Sequence, residues 1–483
     1  MWAILALILF LRLFWHACEP IGIVGDEAYY WDWGRKLDWG YFSKPPGIAW
    51  LHRLVAELGG QSAYGIKACA ALLATSSVAF LFLAVRKFSG DTIARSAACI
   101  LVLSPGNLLL GSFLTTDAPL VFFWNGGLWM IARIMHEEKP KGSHFFHLWL
   151  AISMGSLFKQ MMMMQIILLA ITAVWMRRDL LRRWELFAAS VGSLVVLVPS
   201  LMWNYSNDWI TFQHTAHHFA PAKLGLGPFL SRIGELFGVT ALLVSPVVFI
   251  LCLMAVASVS RALRSQTQAI QFFWIWGALP FCFCALMTLR QQVNPNWPIV
   301  YISPLVVMAF LLFQSKKKFW KWAFCISLSM TLIAMTVPFL MNTIYQYGWI
   351  KPQLRGWEGY KELAASLDRF RRQDDAIVVI GHRFSASHLA FHLHDHPSVW
   401  LWNDSGEIRS QYDLWNAPPT QANLLLVVED KGAKNAPRTP PDVFDGAEYL
   451  ASVPLHPARP EQKFHFYRSK PLAHWPQIGE NPH

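Results

Sequence analysis

Ionisable side chains of both signs stand at the ends of apolar segments in this chain. Asp26 and Glu27 follow the first apolar segment, and Lys44 lies in the same polar stretch. Asp117 begins a later apolar segment, and Lys159 separates two more. Charged groups at membrane depth are costly and tend to be functional. A carboxylate can accept a proton from a nucleophile, and a lysine can stabilise developing negative charge.

Each of these residues also has a plain structural explanation. Lys159 can extend to the membrane interface, and Asp117 in Asp-Ala-Pro can begin a helix. Lys159 has no acid beside it in sequence, so we expect a ligand to supply its countercharge. Arg290 and Asn296 lie at the mouth of two further apolar segments. Two acids with two or three bases on one side of a membrane are better explained by one site.

The polar stretch from Gly25 to Trp50 holds the densest set of such residues. A helix is predicted from Asp26 to Leu37, and its i, i+3, i+4, i+7 spacing groups four side chains on one face. That face carries Asp26, Tyr29, Tyr30 and Trp33.

Lys44 precedes Pro45 and Pro46, which stop any helix and fix the backbone there. A second helix is predicted from Gly47 to Glu57. We expect an amphipathic pair lying on a membrane, with Asp26 and Lys44 turned toward a shared cavity. The alternative is an aromatic belt that anchors the loop at the lipid headgroups.

The composition is that of a membrane protein. Of 483 residues, 54% are hydrophobic and 15% charged, well below the quarter expected of a soluble protein. The net charge of +11 comes from short clusters between apolar runs and does not indicate nucleic-acid binding. The seven cysteines lie in or beside apolar segments and show neither a disulfide framework nor zinc spacing. The N-terminal run lacks a basic start and a cleavage site, so we expect a retained first helix.

About eleven membrane-spanning helices are predicted, because a span needs roughly 20 apolar residues. The predicted spans are 1–18, 66–85, 92–110, 118–135, 145–158, 160–176, 185–203, 235–259, 271–289, 297–314 and 319–342.

Basic clusters in alternate loops predict a cytoplasmic N-terminus, since positive loops face the cytoplasm. The clusters are Arg86-Lys87, Lys139 with Lys141, Arg177 to Arg183, Arg261 with Arg264, and Lys316 to Lys318. The loops that carry the unusual polar residues then face outward, including 19–65.

Two domains are predicted, 1–342 and 343–483, because the composition becomes polar after Asn342. In the second, a helix at Trp357–Arg372 alternates with short apolar strands, which indicates a small α/β domain, and the loop alternation places it outside. The predicted strands are Ala376–Ile380, Ser398–Trp402, Asn423–Val428 and Lys463–Arg468.

Signals for metals and nucleotides are weak. His214, His217 and His218 have the spacing of a metal face, although interfacial histidines are more often solvated. The tail histidines are scattered. No phosphate-binding glycine loop and no dinucleotide fingerprint occur.

The ordered motifs resemble those of the GT-C membrane glycosyltransferases of glycosyltransferase family 39, which include protein O-mannosyltransferases and the lipid A aminoarabinose transferase. The matching segments are DEAYYWDW, YFSKPP, TTDAPL, SLFKQ, WNYSNDWITF and NPNWP, with weaker matches at LRGW and SQYDLW. The resemblance covers residues 20 to 300 and continues into the tail.

This resemblance implies a mainly α GT-C fold, a polyprenyl-phosphate sugar donor and transfer on the periplasmic face of a bacterial inner membrane. It matches Asp26, with Glu27 beside it, to the catalytic carboxylate and Asp117 to the second acid. It matches Lys44 and Lys159 to the donor-phosphate site, near which we also place Tyr29, Arg290 and Asn296. The lipid A aminoarabinose transferases carry a metal-binding acid where this chain has Ser43, which argues against a bound divalent metal. No other cofactor is expected.

Transfer by one displacement would invert the anomeric carbon, with Asp26 as base and the lysines stabilising the departing phosphate. We expect lipid A or lipopolysaccharide as acceptor, with protein or a cell-wall polymer as alternatives. A transporter or flippase is the main rival class, but its charges belong near the bilayer midplane on repeated, broken helices. A non-catalytic assembly protein would leave the Asp26 and Lys44 stretch unexplained.

Overall fold

The chain folds as two compact units, seen in a computed structural model that describes residues 1–217, 219, 225–258, 267–346, 358–430, 440–456, 459–472 and 474–476. The first unit comprises Met1–Glu19, Lys44–Ile48 and Val55–Pro338. The second comprises Pro20–Ser43, Ala49–Leu54 and Phe339–His483. Residues 20–43, within the first predicted domain, therefore belong to the same unit as the tail.

Up to residue 346 the described chain is almost entirely helical. The helices are α1 (Trp2–Ala17), α2 (Gly25–Gly34), α3 (Gly47–Gly59), α4 (Ala63–Val102), α5 (Pro105–Leu110), α6 (Asp117–His136), α7 (Gly142–Ser156), α8 (Met164–Met176), α9 (Trp184–Val191), α10 (Val198–Ser206), α11 (Ile210–His217), α12 (Leu226–Val244), α13 (Pro246–Ala257), α14 (Gln268–Phe273), α15 (Leu279–Met287), α16 (Ile299–Phe313) and α17 (Lys317–Gln346). Short 3₁₀ segments precede α8, α9 and α10, and a π-helical turn joins α14 to α15.

Six helical stretches in the described residues are long and apolar enough to cross a membrane. They are Ala63–Val102, Asp117–His136, Trp184–Ser206, Leu226–Val244, Gln268–Met287 and Lys317–Met341. Four shorter apolar helices accompany them: Trp2–Ala17, Gln160–Met176, Pro246–Ala257 and Ile299–Phe313. The chain is a multi-pass membrane protein; the count of eleven spans and the orientation of the termini stay predictions.

Two predicted spans are wrong in their limits. Helix α4 breaks at Gly90, whose φ of 76° is a conformation that glycine adopts readily. The helix ends at Val102, whereas the predicted span ended at residue 110. Ser104 accepts a hydrogen bond from the Asn107 amide and so starts α5 as a separate helix. The span predicted at 235–259 is instead α12 and α13, which meet at Ser245 with φ 79°. Pro246, at the first turn of α13, begins that helix.

The first unit has one large apolar core around α6. Trp124 of α6 is fully buried and packs edge-on against Trp276 and Tyr301. The Gln165 side chain donates to the Trp124 carbonyl at 2.7 Å. Arg12 of α1 is buried and donates to the Val102 carbonyl at the end of α4. Because α6 is fixed along its length, the residue at its first position, Asp117, is fixed as well.

The tail forms a five-stranded sheet in the order β2-β1-β3-β5-β4. The strands are β1 (Ala376–Ile380), β2 (Val399–Leu401), β3 (Leu424–Asp430), β4 (Glu448–His456) and β5 (Arg459–Ser469). The first three are mutually parallel, and β5 pairs antiparallel with both β3 and β4. Helices α18 (Tyr360–Asp368) and α19 (Arg383–His392) accompany the sheet.

The tail prediction is largely confirmed. All four predicted strands exist. Strands β1 and β3 are runs of buried residues that are almost all apolar, whereas β2 and β5 are partly exposed. Strand β4 and helix α19 were missed. Strand β4 has one buried residue in nine, and its mixed sequence lacks a clear alternation. The predicted helix at Trp357–Arg372 is α18, and its predicted start lies outside the described residues.

Candidate active site

The first unit holds a charged network at the start of α6. The Lys159 ammonium lies 2.8 Å from one carboxylate oxygen of Asp117. The Asn296 side-chain amide donates to the other oxygen at 3.0 Å. Both charged side chains are largely buried, with 12% and 14% of their area exposed. Asp117, Lys159 and Asn296 come from three distant parts of the sequence, so the fold itself assembles this group.

Lys44 belongs to the same network through electrostatics, since its charge acts on the Asp117 carboxylate. The turn after Lys44 is held in place by the Gly47 amide, which donates to the Leu157 carbonyl at 2.8 Å. A Cβ at Gly47 would lie 2.7 Å from that same carbonyl oxygen, so only glycine permits this approach. The Lys44 turn is therefore fixed beside the segment that carries Lys159.

The expectation that Lys159 takes its countercharge from a ligand is wrong. Asp117 supplies that charge, from 42 residues away in sequence. An ammonium has three N–H groups, and one of those on Lys159 is directed at Asp117. The other two N–H groups of Lys159 can still donate hydrogen bonds to oxygen atoms of a ligand.

The other predicted residues of this group differ in placement. Asn296 is joined to the network as described. Arg290 is exposed just beyond α15, and its donor-binding role stays a prediction.

Helix α2 lacks the exposed apolar face of the membrane-surface helix that was predicted. Within Gly25–Gly34 every residue except Asp26 is buried. The belt alternative is also wrong for this helix, because Tyr29, Tyr30, Trp31 and Trp33 are covered by protein. The sequence contains no hint of this partner, which is the tail and lies more than 350 residues away.

Inside the second unit, α2 is bound by the tail. The Tyr29 hydroxyl accepts a hydrogen bond from the Gln411 amide at 2.6 Å. The side-chain oxygen of Gln411 accepts from the Phe42 amide at 2.7 Å. Gln411, which is 2% exposed, therefore binds the segment after Asp26 at two points, Tyr29 and Phe42. Gln411 belongs to the SQYDLW motif, so this contact gives that motif a structural role.

A second anchor is the buried carboxylate of Asp32. It accepts hydrogen bonds from the Tyr412 hydroxyl at 2.7 Å and from Arg35 at 3.0 Å. Burial raises the pKa of Asp32, and Arg35 and Tyr412 oppose that shift. Arg35 also donates to the carbonyl of His396 at 2.7 Å. Burial likewise raises the pKa of Tyr29, which keeps its hydroxyl protonated.

The two predicted catalytic acids, Asp26 and Glu27, differ in burial. Glu27 is fully buried, and its carboxylate accepts from the Val24 amide at 3.0 Å, capping α2. Asp26 is exposed at the second position of the helix. Of the two, only Asp26 has the exposure that a group reacting with a substrate needs. The catalytic role of Asp26 and the donor-binding role of Tyr29 stay predictions.

We expect Gly25→Ala to destabilise the second unit. A Cβ on Gly25 would lie 2.5 Å from two ring carbons of Phe384 in α19, so the ring must shift. Overpacking of this kind costs about 1–3 kcal/mol, and the thermal unfolding midpoint of the purified protein should fall.

The matched control is Gly142→Ala, because nothing lies within 4 Å of a Cβ there. Adding Phe384→Leu to Gly25→Ala should recover part of the loss by freeing space. A Gly25→Ala protein as stable as the wild type would contradict this prediction, because the Phe384 ring would then have shifted at little cost.

Among the described residues, no three His, Cys, Asp or Glu side chains are grouped so as to hold a metal ion. His218 of the candidate histidine face lies outside the described residues.

Comparison with known proteins connects this geometry to a family. A family model described as dolichyl-phosphate-mannose-protein mannosyltransferase matches residues 43–203, which include Lys44, Asp117 and Lys159. Lipid A galacturonosyltransferase RgtD of Rhizobium johnstonii is 26% identical over 431 residues, covering 87% of this chain and 88% of that protein.

Solved structures show the same fold. ArnT from Cupriavidus metallidurans, bound to undecaprenyl phosphate, superposes with a TM-score of 0.63 over 96% of both chains at 14% identity. Its apo form gives the same score over 97% of both chains. With the family match, these findings confirm the resemblance drawn from the motifs. The chain is a membrane glycosyltransferase of the GT-C type.

Proposed function

We propose that this protein transfers a sugar from a polyprenyl-phosphate donor to lipid A or another part of lipopolysaccharide. The observation that carries the proposal is the network of Lys159, Asp117 and Asn296 with the nearby charge of Lys44. Two ammonium groups act on one carboxylate at the end of an apolar helix. A phosphate on a lipid tail matches both the charge and the apolar surroundings.

The relatives support the donor and the acceptor. One solved structure of this fold is of ArnT bound to undecaprenyl phosphate, and RgtD is named a lipid A galacturonosyltransferase. Because RgtD matches most of this chain, lipid A is the favoured acceptor.

The proposed reaction is a single displacement at the anomeric carbon. The acceptor hydroxyl oxygen forms the new bond to that carbon as the bond to the phosphate oxygen breaks. The phosphate leaves with the electron pair, and the hydroxyl proton passes to Asp26. Lys44 and Lys159 stabilise the phosphate charge as it develops. Asp117 and Asn296 hold Lys159 in place.

The reaction is proposed to occur on the periplasmic side of a bacterial inner membrane. We expect alkaline phosphatase fused after the tail to be active, since that enzyme needs export, and a cytoplasmic reporter at the same point to be inactive. The basic clusters between spans motivate this orientation. The reverse reporter pattern would place the tail in the cytoplasm and overturn it.

The deciding experiment is mass spectrometry of lipid A from a deletion strain and from the strain complemented with the wild-type gene. The deletion should remove one sugar mass from lipid A, and the wild-type gene should restore it. The complementing Asp26→Asn gene should not. Lipid A that is identical in all strains would exclude this acceptor.

The second candidate function is protein O-glycosylation, favoured by the description of the matching family model. Secreted proteins from the same strains would then lose a sugar while lipid A stays unchanged. A cell-wall polymer acceptor would alter neither sample. A flippase, the non-enzyme alternative, would show no sugar transfer by the purified protein in detergent.

A further inference from the structure

The tail carries a cleft of about 410 Å³ that the reaction does not use. Its lining combines indole, phenol, amide, carboxylate and imidazole groups. The residues that matter here are Asn403, Glu407, Tyr412, Trp415, His474 and Trp475. Volumes of this size are typical of small-molecule sites. The cleft is formed within the second unit alone.

Hydrogen bonds make the polar rim of the cleft rigid. The Asn403 amide donates to the Glu407 carbonyl at 2.8 Å and to Asp413 at 3.0 Å. The other oxygen of Asp413 accepts from the Ser410 amide at 2.7 Å and from the Arg409 amide at 2.9 Å. A rim that is already ordered loses little conformational entropy when a ligand binds.

Packing also fixes the aromatic walls. The Lys36 ammonium lies 4.1 Å from the centre of the Trp415 ring, and Tyr412 meets that ring nearly at a right angle. Trp475 packs edge-on against Trp402, with ring centres 5.1 Å apart. Both indoles line the cleft while their positions are held by neighbours.

The lining also restricts the charge of a ligand. Glu407 and Asp413 place two carboxylates on the cleft, and its described lining includes no lysine or arginine. Arg409 pairs with Glu407 at 3.5 Å, but Glu407 stays 75% exposed. Lys36 and Arg409 lie near the cleft but do not line it, whereas the two carboxylates do, so phosphate and uronate groups are disfavoured there.

We propose that this cleft binds a pyranose ring without an anionic substituent. The C–H groups on one face of such a ring are weakly positive and pack on the negative face of an indole. Its hydroxyl groups can donate to Glu407. That the ring belongs to the acceptor glycan rests on the proposed function, whereas the binding itself does not.

The test measures saccharide binding by the full-length protein in nanodiscs, with saturation-transfer NMR and titration. The probes are the methyl glycosides of glucose, galactose and glucosamine, with methyl glucuronide as the anionic counterpart. At least one of the first three should bind more tightly than the glucuronide. Trp475→Ala should weaken that binding about five- to tenfold, the value of one aromatic contact. Glu407→Gln should reduce the discrimination against the glucuronide.

The matched control is Trp184→Ala, which removes an exposed indole of the first unit and should leave binding unchanged. The inactive Asp26→Asn protein should also bind the saccharide normally, so failure of catalysis and failure of this site can be told apart. The proposal is overturned if none of the three glycosides binds. It is also overturned if Trp475→Ala binds as the wild type does, or if the glucuronide binds most tightly.

Discussion

Replacing Asp26 with asparagine is expected to abolish sugar transfer while the protein stays folded and still binds donor. The amide keeps the size of the carboxylate but cannot accept the proton of the acceptor hydroxyl. Loss of a general base typically lowers a rate by ~10²–10⁴. Because Asp26 is the exposed residue of an otherwise buried helix, the substitution should disturb little packing. Turnover by purified protein, with donor affinity measured on the same sample, checks this.

The matched control is Asp374→Asn, an exposed acid in the tail before β1. It should transfer sugar at the wild-type rate. Near-normal turnover by Asp26→Asn would remove Asp26 from the mechanism. A variant that also lost donor binding and thermal stability would indicate a structural role for the carboxylate.

What the sequence could predict about the fold depended on local signals. Strand β1 was predicted with its observed limits because its five residues are a short, uninterrupted apolar run, and all five are buried in the structure. The break between α12 and α13 was missed because an apolar pattern continues across Ser245. Its only sequence signal was Pro246, a common first residue of a helix.

Interactions between distant segments were not predictable from one sequence. The periodicity of α2 grouped Tyr29 and Trp33 correctly on one face, but amphipathic spacing does not say what covers that face. Here the tail covers it, through contacts such as Tyr29 with Gln411, 382 residues apart. The apolar face of α2 was predicted to contact a membrane, but it packs against the tail.

The sequence predicted which residues belong to the candidate site, but not which of them pair with each other. Asp117, Lys159 and Asn296 were each selected for being polar at the end of an apolar segment. Which carboxylate faces which ammonium depends on helix packing, and the Lys159 and Asp117 pair spans 42 residues. That pairing changes the expected behaviour of Lys159, because removing it leaves a largely buried carboxylate without its partner.

We expect Lys44→Ala and Lys159→Ala both to weaken donor binding, and Lys159→Ala also to destabilise the protein. Lys44→Ala leaves the 2.8 Å pair of Lys159 and Asp117 intact. A hydrogen bond to a charged group is worth about 1.5–3 kcal/mol, so donor affinity should fall about tenfold or more. Breaking a buried ion pair from one side costs about 3–5 kcal/mol. Donor affinity, turnover and thermal unfolding are measured together.

The double variant Asp117→Asn with Lys159→Met separates binding from stability. It removes both charges at once, so no unpaired buried charge remains and stability should largely recover. Donor binding and turnover should not recover, because the methionine cannot hold a phosphate. If the double variant regained turnover together with stability, the pair would be only a structural contact. If Lys44→Ala also bound donor as tightly as the wild type, the phosphate would be held elsewhere, with Arg290 the next residue to test.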